Sequence, residues 1–131
     1  MFQEVITPRF GEIDFLGHVN NTVLPQWFEH ARNPIYRIFI PEFKYEELNL
    51  ILAHFDVDFK SQMFMNFPVE IKSYISHIGN SSFTIFQEAW QNGKLCVSGS
   101  TVIVYFDFQT QKSCPIPEHY KQKLQEHLIN K

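Results

Sequence analysis

The sequence predicts an α+β domain in which a mostly antiparallel, curved sheet wraps around one long helix. Two observations lead to this fold class. A single amphipathic helical segment lies near the amino terminus, and four β-rich segments follow it, with turn residues between the later ones. A chain of 131 residues has the usual length of one domain, so we expect a single domain over residues 1–131.

The first strand and the main helix follow from the spacing of apolar residues. Residues 2–10 are β-branched and partly alternating, which predicts a strand. Over residues 22–39, apolar side chains recur every three or four positions, as in a helix with one buried stripe. Asn21 or Thr22 can cap the start of this helix. Pro34 predicts a kink or an early end, because proline cannot donate the internal hydrogen bond.

Four long strands and a short surface helix are predicted after the main helix. The strands are residues 48–62, Val69–Ile78, Ser82–Gln91 and 94–108, and the helix is residues 118–128. Gly79-Asn80 and Asn92-Gly93 separate the later strands, and both pairs contain residues that accept the positive φ of tight hairpin turns. We therefore expect antiparallel neighbours in this part of the sheet.

Composition argues against several classes of function. The net charge is -3 and there is no run of Lys or Arg, so we expect no nucleic-acid partner. The chain has no apolar stretch long enough to span a membrane and no basic-then-apolar leader, so we expect no membrane span and a cytoplasmic location. Cys96 and Cys114 have neither the number of a disulfide framework nor the spacing of a zinc site, and we expect no metal.

Residues 9–21 carry the candidate chemistry, because acidic, imidazole and amide side chains crowd a loop that leads into the helix. A helix start presents unpaired N–H groups and the positive end of the macrodipole, which can stabilise negative charge on a carbonyl oxygen. A carboxylate nearby could attack the carbonyl carbon or deprotonate a water. Glu12 and Asp14 both qualify, and the combination suits acyl transfer.

Taken one by one, these loop residues also have ordinary structural explanations. Asp14 and Asn20 or Asn21 are frequent turn formers that bond the local backbone. Gly17 can serve a positive φ, and His18 can be a partly exposed loop histidine. The residue types alone therefore leave the function open.

The same holds for the helix that follows. Trp27 belongs to a residue type that is usually part of the core. Glu29 and Arg32 lie three positions apart, which is the spacing of a surface ion pair. Neither observation requires a substrate.

The order and spacing of the whole segment carry more information. The chain runs Glu12-Ile-Asp14, then Gly17-His-Val-Asn-Asn21, then Trp27-Phe-Glu-His-Ala-Arg32. This pattern resembles the hotdog-fold thioesterases of the hydroxybenzoyl-coenzyme A thioesterase type. Similar His-Val-Asn-Asn loops occur in acyl-carrier-protein thioesterases, so the thiol carrier stays open. The Gly79-Asn80-Ser81-Ser82 segment is similar to the family's Gly-x-x-Ser strand start.

The resemblance implies a hotdog fold and the hydrolysis of an acyl thioester to a free acid and a thiol. It makes Asp14 the nucleophile or general base, places the oxyanion at backbone N–H groups near Asn21, and gives His18 a role in orienting the loop or polarising the carbonyl. Glu12 is assigned to support. The residues that it implies for substrate binding are Gly17, Asn20, Trp27, Ser81 and Ser82.

The resemblance also implies partners. Family members join their sheets edge to edge, so we expect a homodimer or homotetramer in which each site is completed by the neighbour. Coenzyme A or an acyl carrier protein enters as part of the substrate, and no separate cofactor is expected. Two departures concern specificity: Glu12 stands where Asp is common, and Leu24-Pro25 replaces a usual aromatic residue, which leaves the acyl preference open.

Two other functions compete with hydrolysis. A hotdog dehydratase or hydratase shares the fold, but its catalytic motifs are not found in this sequence. A non-catalytic acyl-thioester binding module would keep the pocket without the chemistry. Asp14 favours hydrolysis, because a pure binder has no need of a carboxylate beside a thioester carbonyl.

Overall fold

In the computed structural model, one antiparallel sheet curls around two consecutive short helices. The structure describes residues 1–42, 44, 47 and 49–129. The strands are β1 (Phe2–Ile6), β2 (Leu50–Phe59), β3 (Val69–Ile78), β4 (Ser82–Gln91), β5 (Lys94–Asp107) and β6 (Lys112–Ser113). The helices are α1 (Leu24–Ala31), α2 (Asn33–Phe39) and α3 (Glu118–Gln125), and a short 3₁₀ turn covers Phe10–Glu12.

The strand order in the sheet is β1-β3-β4-β5-β2, and every neighbouring pair is antiparallel. The short strand β6 pairs with the end of β5. This arrangement confirms the predicted α+β class and the curled sheet of the hotdog fold. Strands β1 and β2 lie on opposite sides of the β3–β4–β5 meander, so they form the two edges of the sheet.

The hairpin between β4 and β5 is confirmed, with positive φ at Asn92 (53°) and Gly93 (75°). The turn between β3 and β4 differs from the expectation, since Gly79 has no positive φ. Glycine suits this position because it has no side chain. A Cβ on Gly79 would lie 3.2 Å from the carbonyl oxygen of Ser82, which accepts the Gly79 N–H at 2.7 Å.

Strands β3 and β4 begin and end as predicted, whereas β1, β5 and α3 begin as predicted and end earlier. Strand β1 ends at Ile6, before Pro8, which has no N–H to donate to a sheet. Strand β5 ends at Asp107, and α3 ends at Gln125 rather than at residue 128. Leu48, the first residue of the predicted second strand, lies outside the described residues.

Strand β2 ends at Phe59, three residues earlier than predicted, for a tertiary reason. The backbone N–H groups of Lys60 and Ser61 both donate to the carbonyl oxygen of Cys96, at 2.8 and 3.1 Å. Two successive donors on one acceptor cannot continue a regular ladder, so the chain leaves the edge of β5 at this point.

The predicted single helix is two helices. Helix α1 ends at Ala31 and α2 begins at Asn33, so the break expected at Pro34 is confirmed, and Pro34 lies in the first turn of α2. The expected cap by Asn21 or Thr22 is wrong. The cap position of α1 is Val23, which makes no side-chain hydrogen bond to the helix.

The core consists of two apolar clusters on the concave face of the sheet. The first packs α1 against the sheet and includes Leu24, Phe28 and Val97. The second packs α2 and α3 against the other end of the strands and includes Phe39 and Phe83. All of these side chains are almost completely buried, and their burial holds the helices against the sheet.

Arg32 corrects the expectation of a surface ion pair with Glu29, because its side chain is only 3% exposed. Its guanidinium donates to the Tyr36 hydroxyl at 2.8 Å and to Gln87 Oε1 and Thr101 Oγ1 at 3.3 Å. Gln87 in turn donates to the carbonyl oxygen of Phe28 at 2.9 Å. Burial is tolerated because these hydrogen bonds replace water.

Among the residues that the structure describes, no helix is long and apolar enough to cross a membrane.

The position of α1 on the sheet depends on the absence of a side chain at Gly99. A Cβ there would lie 2.8 Å from the carbonyl oxygen of Asp56 and 3.2 Å from the Phe28 ring. Gly99→Ala is therefore expected to lower the free energy of unfolding by about 1–3 kcal/mol, because a well-packed core cannot absorb the added methyl group. Urea unfolding measures this loss. Gly11→Ala is the control, since a Cβ at Gly11 meets no atom within 4 Å; equal losses in the two variants would contradict the prediction.

Candidate active site

A pocket of about 780 Å³ opens beside the loop that the sequence singled out. Three parts of the chain form its wall. They are the loop with Asp14, Val19 and Asn21, the first turn of α1 with Leu24, and residues 59–63 with Val97 behind them. The loop and the helix start were expected to meet here, and the structure brings them together.

Asp14 uses one of its two carboxylate oxygens to build the turn. Its Oδ1 accepts the backbone N–H groups of Leu16 at 2.9 Å and His18 at 3.1 Å. The main chain closes the same turn, since Gly17 N–H donates to the Asp14 carbonyl oxygen at 3.1 Å and Gly17 adopts φ 84°. No hydrogen bond between described residues involves Oδ2, so the second oxygen is available for chemistry.

Glu12, two residues earlier, is fully engaged. Its carboxylate accepts the backbone N–H of Arg9 at 2.8 Å, two guanidinium N–H groups of Arg9 at 3.1 Å, and the indole N–H of Trp27 at 2.8 Å. The Arg9 hydrogen bond is the main reason that the pKa of Glu12 falls to about 2. A carboxylate with this pKa and no spare hydrogen-bonding position is a poor proton acceptor. The structure thus gives different environments to two acids that their residue types alone left equivalent.

Two backbone N–H groups at and just before the start of α1 are unpaired among the described residues. Asn20 Oδ1 accepts the N–H and the hydroxyl of Thr22, at 3.0 and 2.9 Å, and the Asn20 carbonyl accepts Val23 N–H. The N–H groups of Asn21 and Leu24 make no hydrogen bond within the described part of the chain, and both residues line the pocket. These are the candidate oxyanion donors, at the positive end of a helix.

The opposite wall, residues 59–63, was not recognised in the sequence as part of a site. It follows the early end of β2, and Met63 joins it to the loop by accepting the Val19 N–H at 2.8 Å. The buried side chain of Gln91 holds the continuation of this wall through hydrogen bonds with Phe64 N–H, Phe64 O and Phe67 O, between 2.7 and 2.9 Å. The available signal was the polar run Lys-Ser-Gln at positions 60–62, which interrupts a β-rich segment.

His18 is half-buried and is not among the residues that line the pocket. Its ring packs edge to face on Phe64, with ring centroids 5.1 Å apart, and its backbone forms an isolated bridge to the same residue. The structure therefore connects His18 to the placement of the loop. A role for its ring in polarising the carbonyl stays a prediction.

The residues expected to bind substrate lie in different places. Gly17 and Asn20 form the turns that flank His18. Trp27 is 5% exposed and belongs to the core beneath the loop. Ser81 and Ser82 are at the far end of the sheet. Ser82 pairs with Val104, seven positions along β5 from the pocket residue Val97, which is on the order of 23 Å at a strand rise of about 3.3 Å per residue.

Other reactive groups are limited near the pocket. In residues 1–42, 44, 47 and 49–129, no three His, Cys, Asp or Glu side chains are grouped so that they could hold a metal ion. Cys96 precedes the pocket residue Val97, but burial raises the pKa of its thiol, which disfavours the reactive thiolate. Asp14 contributes a carboxylate to the lining of the pocket, together with the side chains of Lys60 and Ser61.

Comparison with known proteins identifies the family. The sequence model of the thioesterase-like superfamily matches residues 8–124. The chain belongs to the thioesterase-like superfamily. A predicted thioesterase from Bacillus stearothermophilus is 39% identical, with a TM-score of 0.94 over 99% of this chain and 98% of that one. A thioesterase from Thermus thermophilus, complexed with coenzyme A and zinc, is 25% identical, with a TM-score of 0.83 over 95% and 92%. No curated protein sequence matches the chain.

In this member of the thioesterase-like superfamily, the Glu12 carboxylate links the pH to the stability of the loop. Because the pKa of Glu12 falls from 4.5 to about 2 on folding, its contribution is complete above pH 4.5 and is lost as the pH falls towards 2. The exposed Arg9 partner reduces the contribution to about 1–2 kcal/mol.

We therefore expect the difference in unfolding free energy between the wild type and Glu12→Gln to shrink by about 1–2 kcal/mol as the pH falls through this window. Urea unfolding of both proteins at several pH values measures the difference, and other titrating groups cancel in the comparison. A difference that stays constant with pH would refute the assignment.

Proposed function

We propose that the protein hydrolyses acyl thioesters, releasing a carboxylic acid and a thiol. One observation carries this proposal. Asp14, whose Oδ2 makes no hydrogen bond among the described residues, lines the same pocket as Asn21 and Leu24, whose backbone N–H groups are unpaired there. A thioester carbonyl needs a nucleophile or base on its carbon side and donors on its oxygen, and this pocket offers both. Membership of the thioesterase-like superfamily supports it.

In the proposed reaction, the carbonyl oxygen of the substrate points to the N–H groups of Asn21 and Leu24. Two routes fit Asp14. As a base, it takes a proton from a water whose oxygen adds to the carbonyl carbon, the C–S bond breaks, and the thiolate recovers a proton. As a nucleophile, Asp14 forms an anhydride while the thiolate leaves, and water then hydrolyses the anhydride. Both routes give the same acid and thiol.

The acyl group is proposed to lie on the apolar part of the wall, where Val19, Leu24, Met63 and Val97 meet. Coenzyme A is the favoured thiol, because the 25% identical thioesterase from Thermus thermophilus is complexed with it. An acyl carrier protein is the other carrier to test. The loop sequence supports the hydroxybenzoyl-coenzyme A thioesterase type as the subgroup within the superfamily.

We further propose that a second copy of the chain completes the site. Strand β2 is an edge of the sheet and exposes Ile51 and Leu52, by 40% and 48%. An edge with exposed apolar side chains favours pairing with another chain. Antiparallel pairing of two β2 strands brings the start of one beside the end of the other. Within each chain, Ile51 of β2 pairs with Val104 of β5, and Val104 pairs with Ser82 of β4. The neighbour's Ser82 therefore lies two strands from its β2 edge and would approach the Phe59 end of this pocket. Such an approach would give Ser81 and Ser82 a route to the substrate.

Asp14→Asn tests the proposed chemistry. Asparagine keeps an Oδ1 acceptor for the turn but can neither attack a carbonyl nor accept a proton from water. We expect kcat for acyl-coenzyme A hydrolysis to fall by at least about a hundredfold, with little change in KM. A panel of acyl-coenzyme A and acyl-carrier thioesters, assayed for released thiol, measures the loss.

Asp107→Asn is the matched control for this test. Asp107 is also half-buried, and its Oδ1 accepts the N–H of Gln109 two residues on, at 2.9 Å, as Asp14 does with Leu16. If Asp14 only formed a turn, Asp14→Asn and Asp107→Asn would therefore have similar kcat values. Full activity in Asp14→Asn would rule out the mechanism and leave the fold untouched.

The oligomer is tested by its mass and by changes at the two sheet edges. The wild type should scatter light as a dimer or tetramer rather than at 15.6 kDa. Leu52→Lys places a charge on the β2 edge and should give a monomer with reduced activity. Val5→Lys is the control, because Val5 is 59% exposed on the opposite edge strand β1. An active monomeric wild type, or dissociation by the control alone, would refute the β2 interface.

A further inference from the structure

The indole of Trp27 connects the two halves of the proposed site. One half is the turn at Asp14, and the other is residues 21–24, which lead into α1 and carry the unpaired N–H groups of Asn21 and Leu24. Trp27 lies in α1 and is 5% exposed, and its Nε1–H donates to Glu12 Oε2 at 2.8 Å across fifteen residues of chain. This bond fixes the loop to the helix.

The loop transmits the position of Glu12 to Asp14. Arg9 holds the Glu12 carboxylate with three hydrogen bonds, and the Glu12 carbonyl oxygen accepts the N–H of Asn20 at 2.8 Å. The next turn is closed by the Asp14 N–H, which donates to the His18 carbonyl oxygen at 2.7 Å. A displacement of Glu12 would therefore move Asp14 relative to the helix start.

A direct contact of Trp27 with the acyl group fits these observations less well. The single N–H of the indole is already donated to Glu12, the ring is packed in the core, and Trp27 is not among the residues that line the pocket. We propose that Trp27 is a positioning residue, whose hydrogen bond to Glu12 sets the distance between Asp14 and the oxyanion donors. This inference rests on the proposed thioesterase function.

Trp27→Phe removes the indole N–H and keeps an aromatic ring in the core. Because misplacement of a catalytic group by about 1 Å can cost a hundredfold in rate, partial release of the loop should lower kcat by about tenfold. KM should change little, because no substrate contact is removed. If Trp27 instead contacts the acyl group, KM should rise while kcat is kept. That result, or an unchanged kcat, would overturn the proposal.

Trp90→Phe is the matched control. Trp90 is half-buried on the other face of the sheet, and its Nε1–H donates to Glu88 Oε1 at an N···O distance of 3.4 Å, so the same pair of residue types occurs there away from the pocket. Both kcat and KM should stay at wild-type values in this variant. A loss equal to that of Trp27→Phe would show a general effect of removing an indole and would overturn the proposal.

The Glu12 side of the bond gives an independent test. Glu12→Ala removes the acceptor and should lower kcat, whereas Glu12→Gln keeps an oxygen for the indole and should retain more of it. In the double variant Glu12→Ala with Trp27→Phe, kcat should be no lower than in Glu12→Ala alone, because both changes break one interaction. Multiplied losses would contradict the proposal. If Trp27→Phe does not fold, the kcat values of Glu12→Ala and Glu12→Gln test the proposal on their own.

The two proposals fail in distinguishable ways. A wild-type protein without turnover of any thioester in the panel would remove the proposed function and the positioning role together. Turnover that is lost in Asp14→Asn but unchanged in Trp27→Phe would remove the positioning role alone.

Discussion

The close contact between the Phe28 ring and the backbone of Gly99 sets where α1 lies on the sheet. A Cβ at Gly99 would lie 3.2 Å from this ring and 2.8 Å from the carbonyl oxygen of Asp56 in β2, so the close approach of the helix to β5 at this position depends on glycine. The first turn of α1 consequently reaches Val97, and Leu24 and Val97 meet in the wall of the pocket. The position of the candidate site is thus a consequence of helix packing.

Arg32 also restricts how α1 and α2 can be placed on the sheet. Its guanidinium lies between the two apolar clusters of the core and bonds to polar side chains of α2, β4 and β5. A buried cation is costly unless its donors are satisfied, so only one placement of the helices on the sheet serves it well. Arg32 is the residue between α1 and α2, and its side chain is buried.

The candidate site shows how two similar acids acquire different properties. Glu12 is held by a guanidinium and an indole, which stabilise its charge and occupy both of its oxygens. Asp14 commits one oxygen to backbone N–H groups and leaves the other beside the pocket. Environment rather than residue type thus separates a structural carboxylate from the one for which we propose a chemical role. Asn21 and Leu24 add backbone donors, so the proposed chemistry depends on few side chains.

The sequence by itself determined the features that depend on neighbours along the chain. The alternation of residues fixed β3 and β4, the Asn92-Gly93 pair fixed a hairpin through its positive φ, and Pro34 fixed the break between the helices. The order of residues around Asp14 also identified the loop of the candidate site. The strands, the hairpin and the helix break follow from local sterics, hydrogen bonding or periodicity, which a short stretch of sequence contains, whereas the loop was identified by its resemblance to a known family.

Only the tertiary structure decided the features that depend on residues far apart in sequence. The end of β2 requires the Cys96 carbonyl, which turns residues 59–63 into a wall of the pocket. The burial of Arg32 requires acceptors from two distant strands, and the fourth hydrogen bond on the Glu12 carboxylate comes from the indole of Trp27, fifteen positions along the chain. Ser82 was linked to the site by motif alone, whereas strand register places it at the far end of its own sheet. Such contacts form when the sheet curls around the helix, and no local pattern encodes them.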